Sequence, residues 1–391
     1  MKQNKILEFY VVKILIILEY FIILVLGYFL SINQGNLGIA IDGIMGQNDS
    51  FAYYSQISTN LSLGTNLNYT GTYFVPMMTL VGRIFHTESV FFLKTFNFLG
   101  FILMISTIGL IVKQVSYNLK TSTNVFKRII LFPSMILAIS IPFGRDGWIY
   151  LFFFLSVYFL LKLQDIKNNK LYLVLFFISL YLLFKFREYA GVSVLLGLFI
   201  NFFDLHIKKK ATIVIALFFS FIVWFEFFSY VKFPIINLSL HDALIFQSGE
   251  TFNTNGQLVG KRTGDSDFMG SFNPYNIIVF LMQLVISYLG NLIGPFIWQL
   301  KSIPMLIIFI FESIPMIGVV FSLFRQRKQF AYFLNEHPKY KIILAQIFSW
   351  LTMIALTNKN IGTGLRLKIP LFIFIWIVYY GFKNETNKKR M

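Results

Sequence analysis

A polytopic, all-α transmembrane helical bundle is the fold class the sequence predicts, and three observations predict it. Only 13% of the 391 residues are charged and 57% are hydrophobic, whereas a soluble domain carries about 25% charged residues. The mean hydropathy is +0.69, so there is too little polar surface to cover a water-facing globule. Apolar runs of the length that crosses a bilayer recur from end to end. The 34 Lys and Arg residues sit in small clusters between those runs, the arrangement the positive-inside rule produces.

The elements follow in order. Lys2 and Lys5 ahead of an apolar stretch imitate a secretory signal. The stretch is too long for one, and no small-residue cleavage site follows, so residues 12–32 read as a retained first span. Further spans are expected at 89–112, 128–143, 148–163, 171–186, 189–203, 211–231, 303–323, 341–357 and 367–382, about ten in all. The basic segments 113–128, 162–170, 208–210, 325–341 and 383–390 then share one side with both termini, the cytoplasmic side. Residues 276–299 are apolar enough to span, but counting them would carry 325–341 and the basic tail outside. An interfacial or re-entrant helix is expected there, with Gln283, Ser287 and Asn291 on a polar face and Trp298 at headgroup level. An eleventh span is the alternative. The result is a single integral membrane domain over 1–391, with a first outer loop at 33–88 and a larger one at 232–302.

Composition also excludes. The net charge of +17 does not point to nucleic acid, because no basic patch with interleaved aromatics lies on a soluble segment. Cysteine is absent, so disulfides, thiolate metal sites and a catalytic thiol are absent with it. His86, His206, His241 and His337 are scattered without HxxxH or HExxH spacing, and no metal or other cofactor is indicated. The glycine-rich nucleotide signatures are missing too.

The charges that remain outside the basic clusters gather on the outer side. Asp49, in GQNDSFAYYSQI, is either a solvated loop acid, like its neighbour Asp42, or a reactive one. Tyr53 and Tyr54 beside it suit stacking on a sugar ring or an interfacial belt. Arg145–Asp146, in FGRDGW, joins two short spans. It reads as a salt bridge capping two helix ends, or as a second acid facing Asp49 across an outer cavity. Lys185, Arg187 and Glu188 repeat the pattern in FREY, and Arg366 and Lys368 precede the last span. Arginine suits bidentate phosphate binding and lysine acts as a point charge; single cations also serve as snorkelling anchors. Glu19 and Glu312 lie inside apolar runs, where an acid is a candidate functional residue. The loop 249–276 is rich in Gly, Asn, Asp and Ser, suited to folding over a substrate or to a plain surface loop.

Taken in order, NDSFAYY, FPSMILAISIPFGRDGW, FREYAG, GPFIWQ, FESIP and NKNIGTGLRLKIP resemble a known group. The chain is similar to bacterial polytopic membrane proteins of surface-polysaccharide gene clusters, relatives of the GT-C-type glycosyltransferases and the oligosaccharide-unit polymerases. The resemblance runs over roughly 40–370, and it lies in the order of short motifs. It implies a plasma-membrane enzyme with its active site at the outer face. The donor would be a polyprenyl-phosphate or -diphosphate sugar and the acceptor a glycan or another lipid-linked unit, with other polysaccharide-assembly proteins as possible partners. It implies an acid of the first outer loop, here Asp49, as general base, and Asp146 as the second acid. Arg145, Arg187 and Arg366 would hold the donor phosphate, with Lys185, Glu188, Lys368, Tyr53, Tyr54 and Trp298 completing the substrate site. The family signature often has a second acid after the first; here Ser50 follows Asp49. Two further classes stay open. A transporter or flippase would show internal repeats, and none is seen. A non-catalytic component of the export machinery would tolerate loss of Asp49 and Asp146.

Overall fold

The structure, a computed structural model, describes residues 2–44, 46–116, 118–165, 170–206, 276–358 and 360–388, with short pieces between 220 and 273. It is helical apart from one small antiparallel pair, Glu250–Phe252 with Leu258–Lys261. Helix α1 (Lys2–Asn33) turns one stripe inward, Val12, Ile16, Tyr20 and Leu24, at a four-residue spacing that keeps them on one face. The rest of its surface, including Leu7, Leu18 and Ile22, is exposed apolar side chain of the kind a bilayer solvates.

The stretch expected as the first outer loop carries two helices. Residues 33–88 hold α2 (Gln47–Leu63) and α3 (Phe74–Ile84). Their connection is tied by Arg83, which donates to the Asn66 side chain and to the carbonyls of Asn60 and Thr65. Helix α4 (Val90–Ser116) returns through the bundle. Next come α5 (Leu119–Ile130) and α6 (Pro133–Ile139), bent 69° from one another. The single span expected at 128–143 is therefore broken, because Pro133 cannot donate a backbone hydrogen bond and starts a new helix as its first residue.

Helices α7 (Asp146–Asp165), α8 (Lys170–Phe186) and α9 (Glu188–His206) form an up-and-down series. After α10 (Ile277–Ile293) the chain builds one compound span: α11 (Ile303–Ile308), a π-helical turn (Phe309–Ser313) and α12 (Ile314–Arg325). The π turn lies just ahead of Pro315, whose missing N–H would interrupt an ordinary α-helical ladder there. Helices α13 (Arg327–Glu336), α14 (Pro338–Thr357) and α15 (Ile361–Lys388) complete the chain. Helix α15 is the axle: every residue from Gly364 to Val378 is buried, the charged Arg366 and Lys368 included.

Among the described residues six helices are long and apolar enough to cross a membrane, or seven if the α5–α6 pair is one broken span. An all-helical membrane protein is thus what the sequence makes. The expected ten would add α8, α9 and residues 211–231, and most of the last lie outside the described residues. Helix α10 has 17 residues and is not among the six. Its polar face was expected toward the headgroups, but Ser287 and Asn291 are buried. They meet the end of α14: Ser287 Oγ donates to the Ala355 carbonyl at 2.7 Å, and Asn358 Nδ2 donates to Asn291 Oδ1 at 2.9 Å. An amide pair of this kind is more stable against another helix end than in hydrocarbon.

Candidate functional site

The acids and arginines that the sequence placed on one side do come together at one end of the bundle. Asp146 is the first residue of α7, where the helix dipole favours a carboxylate, and it is only 3% exposed. Its Oδ2 accepts from Arg366 Nε at 2.6 Å, and its Oδ1 lies 3.8 Å from Arg187 Nη1. Arg366 then reaches outward, its Nη1 3.3 Å from Asp49 Oδ2. Asp49 sits in the first turn of α2 with its side chain 55% exposed. Gly46, the N-cap of that helix at φ 82°, makes room for this approach: a Cβ there would lie 3.3 Å from Arg366 Nη1.

The remaining members are held from behind. Arg145 donates to the Phe186 carbonyl at 3.1 Å, and its guanidinium lies 5.8 Å from the Tyr53 ring centre. Arg187, the one residue between α8 and α9, stacks over Tyr189 at 4.7 Å. Arg145 Nε, Asp146 Oδ1 and Tyr189 Oη are buried with no hydrogen-bond partner. Buried polar atoms are rarely left so, and here three of them fall within one ionic cluster.

Three supports were not read from the sequence. Tyr150 lies one turn after Asp146 on α7, and its hydroxyl donates to the Arg366 carbonyl at 2.6 Å. That carbonyl is free because Pro370, four residues on, has no N–H to offer it. Lys94 is buried in α4 and donates to the carbonyls of Ile141 (2.6 Å) and Gly38 (3.1 Å). It thereby clamps the segment before Arg145 to the segment before Asp49. Asn97, three residues on, bonds the Gly144 carbonyl and the Trp148 indole. A lone lysine in an apolar span was a legible signal; the Tyr150 partnership, which depends on a proline in the last helix, was not.

Several expected site residues lie elsewhere. Lys368 does not join the cluster. It is 1% exposed and bonds Glu312 Oε2 and the Gly294 carbonyl, each at 3.0 Å. Glu312, fully buried in the π turn, also accepts from Ser134 N at 2.6 Å and Ser134 Oγ at 2.7 Å, capping the first turn of α6. Lys185 is exposed over Tyr181, and Glu188 is exposed at the start of α9. Trp298 is 74% exposed and stacks on Phe296. Tyr53 is buried edge-on against Phe74, so it has no free face for a sugar. Burial pushes its phenol above the usual value, Arg145 opposing and Asp49 and Asp146 adding to the rise. Tyr54 packs on Phe143 and donates to the Glu88 carbonyl at 3.0 Å. Asp42, the rival acid, is held by Asn36 and Gln47, both at 2.7 Å. Glu19 makes no ion pair with Lys13, which bonds Ser106 instead. Most of the loop 249–276 lies outside the described residues.

Among the described residues no group of three or more His, Asp or Glu side chains gathers as a metal site would. Comparison with family models, with curated proteins and with solved structures finds no match for this chain.

Proposed function

We propose that the Asp49–Arg366–Asp146 cluster is the active site of a membrane glycosyltransferase or polymerase of the GT-C kind. On this reading the chain has ten spans and works at the outer face of a bacterial plasma membrane. It transfers a sugar or repeat unit from a polyprenyl-phosphate or -diphosphate donor to a surface-glycan acceptor. One observation carries the reading: an exposed carboxylate, Asp49, is held beside a guanidinium that is itself fixed by a buried acid, with two more arginines adjacent.

The chemistry follows from the positions. The acceptor hydroxyl forms the new bond to the anomeric carbon as the carbon–oxygen bond to the donor phosphate breaks. Asp49, open to solvent and in only a long contact with Arg366, takes the hydroxyl proton. Negative charge builds on the leaving phosphate. Arg145 and Arg187 can meet it there, and a fixed guanidinium needs no reorganisation to do so. Asp146, sealed between Arg366 and Arg187, serves as a positioning residue, not as a second base.

The test is complementation of a deletion strain with wild type or Asp49→Asn at equal membrane levels, followed by mass spectrometry of surface glycan and lipid-linked intermediates. Accumulation of a lipid-linked precursor on the outer leaflet is the expected result, and its mass tells a single sugar from a repeat unit. Wild-type glycan from Asp49→Asn would remove the assignment. The buried Glu312–Lys368 pair is the observation that favours a transporter or flippase; that reading expects the precursor to accumulate on the inner leaflet.

A further inference from the structure

At the end of the bundle opposite Arg366, a crevice of about 430 Å³ opens between α1, α4 and the start of α5. Its walls are apolar, with Ile6, Phe9, Tyr10 and Leu110 among them, and Lys13 and Lys113 also line it. Lys13 is half-buried, three turns into a membrane-crossing helix. Its ammonium donates to Ser106 Oγ at 3.0 Å, and no carboxylate of the described residues pairs with it. The acids of α1 are elsewhere. Glu8 pairs with Lys127 at 2.8 Å, and Glu19 lies about 9 Å further along the helix at 1.5 Å per residue, outside the crevice.

Among the described residues the fully buried cations each have partners. Arg366 has Asp146, Lys368 has Glu312, and Lys94 has backbone carbonyls. Lys13 has one neutral hydroxyl, and a half-buried ammonium in apolar surroundings is costly without a counter-charge. The crevice is short of a negative group, and it faces lipid: Ile6, Tyr10, Ile14 and Leu110 beside it are exposed.

We propose that this crevice is a binding site for an anionic phospholipid of the bilayer. Its headgroup phosphate would bridge Lys13 and Lys113, and one acyl chain would lie along Ile6, Phe9 and Leu110. Lysines suit this role because a point charge holds a phosphate without demanding bidentate geometry. The occupant would fasten α1, the span with the least buried surface of the six, to α4. The site is independent of the Arg–Asp cluster and of the function assigned to it.

The test uses the purified full-length protein, delipidated in neutral detergent. It is titrated with phosphatidylglycerol or with phosphatidylcholine of the same chains, and followed by native mass spectrometry and thermal melting. One phosphatidylglycerol is expected to stay bound and to raise the melting midpoint, whereas phosphatidylcholine does neither. A Lys13→Gln/Lys113→Gln variant should bind phosphatidylglycerol about 10-fold more weakly or worse. Lys13→Arg/Lys113→Arg should retain it, which guards against a misfolded double variant. Lys120→Gln, an exposed lysine outside the crevice, should bind as wild type does. Equal binding of the two lipids, or unchanged binding by the glutamine variant, overturns the proposal. So does inorganic phosphate that raises the midpoint as much as the lipid does, since the site would then take a soluble anion.

Discussion

Two ionic centres sit two residues apart on α15 and have opposite characters. A step of two residues turns an α-helix by about 200°, so Arg366 and Lys368 leave on opposite faces. Lys368 enters a closed centre: with Glu312 and Ser134 it is sealed from water, and each carboxylate oxygen has a donor. Arg366 enters an open one: one carboxylate is buried with only its Oδ2 bonded by the guanidinium, and the other is exposed at a long 3.3 Å. A closed pair costs desolvation and returns a fixed helix register. An open one leaves a carboxylate exposed to what arrives. On the proposed function the two centres divide the work along one helix, the closed pair setting where Arg366 points and the open cluster reacting.

The comparison breaks first at the closed centre. Removing one partner there should cost about 3–5 kcal/mol, since the other charge is left buried and alone. Glu312→Gln or Lys368→Met should therefore lower the melting midpoint in detergent strongly. The Glu312→Leu/Lys368→Met double variant should recover most of that loss; a double variant as unstable as the singles would show that the pair is no unit. At the open centre the effects should separate. Asp49→Asn should lower turnover of a lipid-linked donor by about 10²–10⁴-fold, the usual share of a general base, with the melting midpoint unmoved because the group is exposed. Asp146→Asn should lower both together. Equal melting losses for the two acids would erase the distinction drawn between them.

A smaller effect belongs to Tyr150. Its phenylalanine variant removes one donor from the Arg366 carbonyl and should cost about 0.5–1.5 kcal/mol. In a Pro370→Ala background the loss should shrink, because the backbone N–H restored by that substitution can take over the carbonyl. The smallest concerns Lys185→Gln and Glu188→Gln, exposed and outside the cluster. Each should stay within about 0.5 kcal/mol of wild type and keep full activity, so a large loss in either would move the site toward the α8–α9 turn.

The sequence made Arg145, Asp146 and Arg187 legible because charges in very short turns have nowhere to go but the membrane surface; Asp49 and Arg366 stood out as charges outside the basic clusters. It misassigned Lys368 for a physical reason. TNKNIGTGLRLK reads as a loop from its Asn and Gly content, but the helix already begins at Ile361. Gly364 is there for close packing: a Cβ would meet Asn358 Nδ2 at 2.9 Å and Asn291 Oδ1 at 3.2 Å. Once the segment is helical, Arg366 and Lys368 cannot share a site. Glu312 was recognisable as an intramembrane acid, but its partners, Ser134 far upstream and Lys368 downstream, leave no trace in the local spacing. Tyr53 looked like a stacking platform because an aromatic pair beside an acid does so often; its burial depends on Phe74, which no local pattern reveals.

The burial of α15 also bears on how the chain assembles in time. Its position at the axle is filled by the helix that follows all the other described ones in the chain. Synthesis at about 5–20 residues per second leaves α7, with Asp146 at its head, without Arg366 for on the order of 10–40 s. Ser134 and Glu312 wait in the same way for Lys368. Until then Asp146 has only Arg187 beside it and Glu312 only Ser134, and the last helix supplies the closer cation to each.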